Sequence, residues 1–288
     1  MLKTKMGSFP LGLRRGGGWQ NDLPSLVNWA KDNQLGVIDL GRKTEDIATV
    51  REAGLQVGSV DLLEWQPLFS SDAGKRGESV AKNAEYITQA CAAGAKKFFL
   101  VVLPEDPAKP RAENFGYAVE SFNALSPALE AAGGQLVIEG WPGPGALCCT
   151  PETYRATFKE CPSSAIGINY DPSHLLRMGI DPLRFLSEFA ARVGHVHGKD
   201  TEILPEDLYE YGWEQAATFK KSPAFGAAAW RYTIPGAGGT NWSEVFRVLQ
   251  ENNYGGAVCI ELEDKDYNGS EDGEKRGFIS GAQYLATC

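Results

Sequence analysis

Four short apolar segments in the second half of the chain each end on a side chain that can bind a metal ion. The segments are Gln135–Glu139, Ala165–Asp171, Val193–His197 and Ala257–Glu261, so the four end residues are Glu139, Asp171, His197 and Glu261. A charged group at the end of a buried strand is unfavourable unless a partner compensates it. Four such groups in succession predict one shared partner.

Three carboxylates and one imidazole are mostly hard ligands, which suit a divalent ion such as Mn²⁺, Mg²⁺ or Co²⁺. A metal that chelates a carbonyl and an adjacent hydroxyl acidifies the C–H bond between them. A nearby carboxylate can then remove that proton. The four end residues therefore predict an enzyme with one divalent ion, Mn²⁺ being the first choice and Zn²⁺ a further alternative.

The rest of the chain supplies the elements that must position these side chains. Strand-like and helix-like segments alternate at intervals of about 30 residues, as in repeated βα units. The eight predicted strands are Phe9–Leu13, Leu35–Leu40, Leu55–Asp61, Lys97–Leu103, Gln135–Trp141, Ile166–Asp171, Val193–His197 and Ala257–Glu261. Helical spacing is found over Glu78–Ala93, Asn114–Ala132, Asp181–Ala191, Trp242–Asn252 and Gly273–Leu285.

Eight such units favour a closed (β/α)₈ TIM barrel, as a single domain over residues 1–288, rather than an open doubly wound sheet. An open sheet would want a G-x-G-x-x-G turn near its first strand, and Arg14–Gly18 lacks that spacing, so it is predicted to be a flexible loop. In a barrel, catalytic groups converge at the C-terminal strand ends, where the four end residues lie. Gly133–Gly134 and Gly255–Gly256 are predicted to adopt the left-handed conformation that ends helices.

A long segment, about residues 201–240, separates the seventh strand from its helix. Such loops usually have about two to six residues. Leu204–Trp213 within the segment is predicted to form a short helix. Because βα loops build the catalytic face of a barrel, the segment is predicted to be a lid over the substrate or a subunit contact. The contact would belong to a homo-oligomer (dimer or tetramer), with a hetero-oligomer as the alternative.

The composition excludes several classes of partner. The net charge of −9 and a pI near 5.0 argue against nucleic acid, which requires a basic surface. No segment approaches the roughly 20 apolar residues that span a bilayer, and the basic start lacks the apolar run of a signal peptide. We therefore expect a soluble, cytoplasmic protein with a small-molecule partner. The six cysteines are expected to be reduced and mostly buried.

Five motifs resemble those of the xylose isomerase-like TIM barrels, also called the sugar phosphate isomerase/epimerase family. They are Val137–Glu139, Asp171–His174, His195–Asp200, Pro235–Gly238 leading to Trp242, and Ile260–Glu261. They follow the family's order, and the resemblance covers essentially the whole chain. The family includes ketose 3-epimerases, inosose dehydratase, enzymes that β-eliminate 3-keto-glycosides and, more distantly, the apurinic endonucleases.

The resemblance implies roles for individual side chains. Glu139, Asp171, His197 and Glu261 would bind one divalent metal, and the two glutamates would shuttle a proton on opposite faces of the bound sugar. His174 would contact substrate, the alternative being a histidine that holds a ligand carboxylate.

Two neighbours in the same motifs are interpreted from the residues themselves. Lys199 is predicted either to contact substrate or, with Asp200, to form an ion pair that supports the loop. His195 points the same way as His197 because strand side chains alternate, but it lies deeper in the barrel. His195 is therefore predicted to be a hydrogen-bonded core residue rather than a ligand.

One arginine of the ketose 3-epimerases is missing from its usual place, six residues after the ligand histidine, where this chain has Ile203. Arg231 is predicted to replace it as a substrate contact. The alternative is a surface arginine stacked on Trp230 or Tyr232.

Aromatic side chains after other strands suit a sugar pocket, because aromatic faces pack on the apolar faces of pyranoses. They are Trp19, Trp65 and Trp141. Trp65, beside Glu64, is the favoured substrate contact, with Trp141 as a second, and core packing is the alternative for all three.

The predicted activity is metal-dependent isomerisation or epimerisation of a keto-sugar or related polyol, through proton abstraction next to a carbonyl. A metal-dependent lyase or dehydratase acting on an inosose or 3-keto-glycoside is the alternative, because the same ligands serve β-elimination. An apurinic-endonuclease-like phosphodiesterase would need more histidines than the three present. A non-catalytic sugar-binding barrel would not need an intact ligand set.

Overall fold

Strands alternate with helices along the chain, and the computed structural model describes residues 1–288. The strands are β1 (Leu11–Arg14), β2 (Val37–Leu40), β3 (Gln56–Asp61), β4 (Lys97–Val101), β5 (Gln135–Glu139), β6 (Ile166–Tyr170), β7 (Val193–Gly198), β8 (Asp200–Ile203), β9 (Trp230–Thr233) and β10 (Val258–Ile260). The helices are α1 (Leu23–Asp32), α2 (Thr44–Glu52), α3 (Ala73–Ala93), α4 (Arg111–Ala132), α5 (Pro151–Glu160), α6 (Pro172–Arg177), α7 (Pro182–Phe189), α8 (Pro205–Tyr211), α9 (Trp242–Glu251) and α10 (Glu271–Leu285).

Eight of the strands form one closed sheet, in the hydrogen-bonding order β1, β10, β7, β6, β5, β4, β3 and β2. The predicted (β/α)₈ barrel is therefore confirmed, and each predicted strand overlaps one strand of this sheet. None of the helices combines the length and apolar character that crossing a bilayer would require. All six cysteines are buried, as predicted.

The residues group into two compact units. The first unit comprises residues 1–38, 171–191 and 196–288. Within it, β10 pairs in parallel with β1 on one side and β7 on the other, which sets Cys259 opposite His197. Its core includes the fully buried side chains of Leu13, Trp242 and Phe246.

The second unit comprises residues 39–170 and 192–195. Strands β3 to β6 pair in parallel within it, and Glu139 lies opposite Asn169. Helices α3 and α4 pack against each other. The apolar runs of β4 and β5 are buried because parallel strands of this kind are covered on both faces.

The predicted helix ends are confirmed at one position and wrong at the other. Gly133 has a φ of 65° and ends α4 in the left-handed conformation. After α9 it is Asn253, with a φ of 59°, that takes this conformation, and not Gly255 or Gly256. Helix α9 ends at Glu251, so the left-handed residue falls at position 253, before the two glycines. Asparagine tolerates this conformation.

The long segment 201–240 has its own secondary structure. Its predicted short helix is confirmed as α8, and β8 and β9 form an antiparallel pair that the sequence did not indicate. In this pair Glu202 lies opposite Arg231, and Asp200 lies opposite Thr233. The segment is therefore an ordered extension that starts and returns beside the end of β7.

Candidate active site

The side chains of Asp171 and His174 are positioned by the short helix α6. Asp171 follows β6 directly and is the N-cap of α6, where its Oδ1 accepts a hydrogen bond from the Ser173 backbone N–H at 2.9 Å. Pro172 occupies the first helical position, as is common after such a cap. One helical turn then returns His174 to Asp171, and His174 Nε2 lies 3.4 Å from Asp171 Oδ2.

The neighbouring strands β7 and β10 bring His197 and Glu261 together. Cys259 is opposite His197, and Glu261 follows two residues later on the same face, just beyond the strand end. His197 Nδ1 lies 3.6 Å from Glu261 Oε2. Both side chains are thus placed by strand register and not by a flexible loop.

Three of these groups form a cluster of potential metal ligands. One oxygen or nitrogen atom from each of Asp171, His174 and Glu261 lies within 4.8 Å of the others. Asp171 and His174 are buried, and the side chain of Glu261 is 18% exposed. The family resemblance predicts that His174 contacts substrate, and the structure also places it among the candidate metal ligands.

The ammonium group of Lys199 lies among these carboxylates. Lys199 is 1% exposed, and its Nζ lies 3.3 Å from Asp171 Oδ2 and hydrogen-bonds to Glu261 Oε2. It also donates to Glu263 Oε2 at 3.1 Å and lies 4.7 Å from the centre of the Tyr232 ring. The predicted ion pair of Lys199 therefore involves the candidate metal ligands, and not the adjacent Asp200.

Glu261 is surrounded by positive groups. Burial favours the neutral form of this carboxyl and by itself raises its pKa. The charges of Lys199, His197 and Arg14 outweigh burial and hold the pKa of Glu261 well below its usual value. Arg14, at the end of β1, contributes through its Nε, which lies 3.1 Å from Glu261 Oε1. Glu261 is therefore ionised at neutral pH.

His174 is oriented by Tyr232, a contact that the sequence did not indicate. Its Nδ1 lies 2.7 Å from the hydroxyl oxygen of Tyr232, which also accepts a hydrogen bond from Arg177 Nη1 at 2.6 Å. Burial raises the pKa of the Tyr232 hydroxyl, so it stays neutral. Arg177 also stacks on Trp230, with its guanidinium carbon 4.5 Å from the ring centre. The sequence had offered such stacking as an alternative for Arg231.

Arg231 is bound by acidic side chains. Its Nε donates to Glu202 Oε2 at 2.7 Å, and its Nη1 donates to Asp266 Oδ2 at 2.7 Å and Asp264 Oδ1 at 3.4 Å. These contacts connect the long segment to the loop after β10. Its predicted contact with substrate stays a prediction.

Asp200 holds the two ends of the long segment together. Its Oδ1 accepts hydrogen bonds from the backbone N–H and hydroxyl of Thr240, at 3.0 and 2.7 Å, and its Oδ2 accepts one from Trp242 Nε1 at 3.2 Å. Burial raises the pKa of Asp200, although these hydrogen bonds oppose the shift. The family motif at Asp200 and Trp242 therefore has a structural role here.

In the second unit, Glu139 is 3% exposed at the end of β5, and its Oε2 accepts a hydrogen bond from Asn169 Nδ2 at 2.7 Å. His195 Nε2 lies 2.9 Å from Asp39 Oδ2, and both residues are buried. His195 is thus a hydrogen-bonded core histidine, as predicted.

The three predicted aromatic contacts have different surroundings. Trp65 and Glu64 line a cavity of about 320 Å³ in the second unit. Trp141 is partly buried. In the first unit, the partly buried Trp19 donates from Nε1 to Glu274 Oε2 at 2.8 Å and packs edge-on against Trp29. Contact of Trp65, Glu64 and Trp141 with substrate remains a prediction.

The donor groups of the cluster fit a divalent ion. Carboxylate oxygens and an imidazole nitrogen are the ligands that Mn²⁺, Mg²⁺ and Zn²⁺ accept, and here they converge on a position beside a buried cation. A group of buried carboxylates without a positive partner would be unfavourable. The arrangement is therefore a candidate site for one divalent cation.

Comparison with known proteins identifies the family. Residues 32–288 match the family described as xylose isomerase-like TIM barrel, and the chain belongs to this family. Among solved structures, 3-keto-D-glucoside 4-epimerase YcjR from E. coli superposes with a TM-score of 0.70 at 14% identity, over 97% of this chain and 100% of that one. The zinc-bound IOLI protein superposes with a TM-score of 0.63 at 16% identity, over 96% and 95% of the two chains.

Curated relatives match part of the chain, among them the following two proteins. The uncharacterized protein YfiH of Bacillus subtilis (strain 168) is 32% identical over 150 residues, which is 51% of this chain and 46% of that protein. Inosose dehydratase of Clostridium botulinum (strain Alaska E43 / Type E3) is 28% identical over 151 residues, which is 52% and 48% of the two proteins. The chain thus spans about half the length of the curated relatives it matches.

Proposed function

We propose that this chain is a divalent-metal-dependent enzyme that acts on a keto-sugar or related polyol by removing a proton next to a carbonyl. The observation that carries the proposal is the convergence of Asp171, His174 and Glu261, whose donor atoms lie within 4.8 Å of one another. The epimerase and dehydratase names among the relatives support a carbohydrate substrate.

In this proposal Glu139, Asp171, His197 and Glu261 hold one metal ion, with Mn²⁺ as the first choice. When bound, the ion would polarise the substrate carbonyl and thereby acidify the adjacent C–H bond. Glu139 Oε2, held by Asn169 Nδ2 at 2.7 Å, is oriented to accept a proton. Glu261 is kept ionised by its cationic neighbours and can do the same from another strand end.

Lys199 and His174 complete the site. The Lys199 ammonium is held by three carboxylates, those of Asp171, Glu261 and Glu263, and its positive charge would stabilise a substrate oxygen on which negative charge develops. His174, held by the Tyr232 hydroxyl, would contact the substrate or hold Asp171. The long segment 201–240 would act as the lid of a single-domain barrel.

The fate of the proton decides the reaction class. Its return to carbon gives isomerisation or epimerisation, which is the first choice. Loss of a β-substituent instead gives a dehydratase or lyase. The similarity of half the chain to inosose dehydratase favours keeping this second activity as the alternative.

The test is incubation of the Mn²⁺-loaded protein in D₂O with free ketoses, inososes and 3-keto-glycosides. We expect deuterium at the carbon next to the carbonyl, and the product mass then separates isomerisation from loss of water or an alcohol. Glu139→Gln should abolish exchange, whereas Glu160→Gln, at the exposed end of α5, should not. Absence of exchange with every substrate would contradict the proposal.

A further inference from the structure

A cavity adjoins Glu261, and we propose that it binds the second sugar ring of a glycoside substrate. That ring would stack on the side chain of Phe225. The inference rests on the proposed function, in which the reacting ring lies at Asp171, His174 and Glu261. It goes further by naming the substrate as a two-ring glycoside rather than a free monosaccharide.

The cavity has the size and position of a substrate subsite. Its volume is about 390 Å³, and ligand pockets generally measure about 300–1,000 Å³. Glu261 lines this cavity and also contacts Lys199, so it belongs to the cavity and to the candidate ligand cluster at once. A ring bound in the cavity would therefore be next to a ring that reacts at Glu261.

Phe225 lines the cavity in a conformation that requires explanation. It is 39% exposed, and its φ of 55° is in the left-handed region, which is unfavourable for a non-glycine residue. Residues in this region persist only where the surrounding structure enforces their conformation, and they cluster at functional sites. Phe225 is thus a partly exposed aromatic ring, held in a strained turn, that lines the same cavity as Glu261.

Strand β9 enforces that turn. The carbonyl of Phe225 accepts a hydrogen bond from the Tyr232 backbone N–H at 2.8 Å, and Gly226 forms a β-bridge with Arg231. A Cβ atom on Gly226 would lie 2.5 Å from the Trp230 carbonyl oxygen, so only glycine permits this approach. The ring of Phe225 is thus carried by a backbone that is fixed to the same segment that orients His174.

The glycine-rich loop after β1 provides another surface of the cavity. The side chain of Arg15 donates to the carbonyls of Gln20 and Asn21, both at 2.9 Å, and Gly16 N–H donates to Gln20 Oε1 at 2.7 Å. These bonds hold the loop that the sequence predicted to be flexible. Gly17 and Gly18 have no heavy atom near the position of a Cβ, so a ligand can approach the backbone there.

The chemistry of the lining selects a neutral, hydroxyl-rich ligand. Three glutamates outnumber two arginines around the cavity, which disfavours an anionic group. They are Arg14, Arg15, Glu261, Glu263 and Glu274. The exposed face of Phe225 suits the apolar face of a pyranose, while the charged groups can bind its hydroxyls.

Binding of unreactive glycosides tests the subsite without turnover. The probes are methyl β-cellobioside and methyl β-maltoside, with methyl β-D-glucoside as the one-ring reference, titrated into the Mn²⁺-loaded protein by saturation-transfer-difference NMR. We expect at least one two-ring probe to bind about tenfold more tightly than the reference and to receive saturation on both rings. Phe225→Ala should remove this advantage and the saturation of one ring.

The matched control is Phe219→Ala, which removes a fully exposed aromatic ring from the same segment and should change neither quantity. Saturation confined to one ring in the unmodified protein, an unchanged result with Phe225→Ala, or no binding of either disaccharide would overturn the subsite. A missing deuterium exchange with normal two-ring binding would instead contradict the proposed reaction alone.

Discussion

Lys199 Nζ lies 3.3 Å from Asp171 Oδ2, and both side chains are buried. A buried ammonium group is stable only when paired, and breaking such a pair costs about 3–5 kcal/mol because the remaining charge is uncompensated. The same Asp171 is a proposed metal ligand. The lysine therefore neutralises the carboxylates that would otherwise depend on a divalent ion for their stability.

Replacing this lysine should make stability depend on metal. We expect Lys199→Met to lower the melting temperature strongly in EDTA. Mn²⁺ should then raise the melting temperature of this variant by more than it raises that of the unmodified protein. Differential scanning fluorimetry with EDTA and with Mn²⁺ measures both shifts. The control is Lys220→Met, which removes a more exposed ion pair with Asp207 and should shift the melting temperature little. An equal response of the two variants would contradict the neutralising role.

The two histidines of β7 should differ in metal binding. His197→Asn should lower the metal content of the purified protein, because His197 lies beside Glu261. His195→Asn should retain metal, because His195 is hydrogen-bonded to Asp39. Elemental analysis after dialysis against Mn²⁺ measures the difference. If the metal content instead follows His195, the proposed ligand set is wrong.

The metal-free protein should lose stability in acid through Glu261. The folded-state pKa of Glu261 is held well below its usual value, so its ionised form stabilises the fold above about pH 4.5. This contribution is lost as the pH falls through the folded-state pKa. Urea midpoints in EDTA between pH 6 and pH 3 should therefore show a difference between the unmodified protein and Glu261→Gln that shrinks towards low pH. Glu251→Gln, in an exposed pair with Arg247, should show only a small, nearly constant difference.

Arg231→Ala separates a substrate contact from a structural anchor. Since three carboxylates bind Arg231, we expect faster proteolytic cleavage within residues 201–240 and a loss of turnover below about tenfold. Limited proteolysis and steady-state kinetics on the same preparation give the two results. A loss of about a hundredfold or more with unchanged proteolysis would support the predicted contact with substrate.

The barrel and the strand-end positions of the candidate ligands could be predicted from the sequence. Both depend on local patterns, because apolar runs of strand length at regular intervals define βα units, and a strand's last residue must lie at its carboxyl end. Glu139, at the end of β5, and Asp171, directly after β6, could be placed in this way. The hydrogen-bonded core role of His195 followed from the same alternation.

The groups that surround each long side chain could not be predicted in this way, because they depend on contacts formed in the folded chain. Lys199 reaches Asp171 and Glu261, and Arg231 reaches Asp266, across separations in the chain that no local pattern encodes. Long flexible side chains can point in several directions, and burial together with the nearest opposite charge selects one of them. The strained turn at Phe225 likewise exists because β9 holds it, and a sequence motif alone does not specify that pairing.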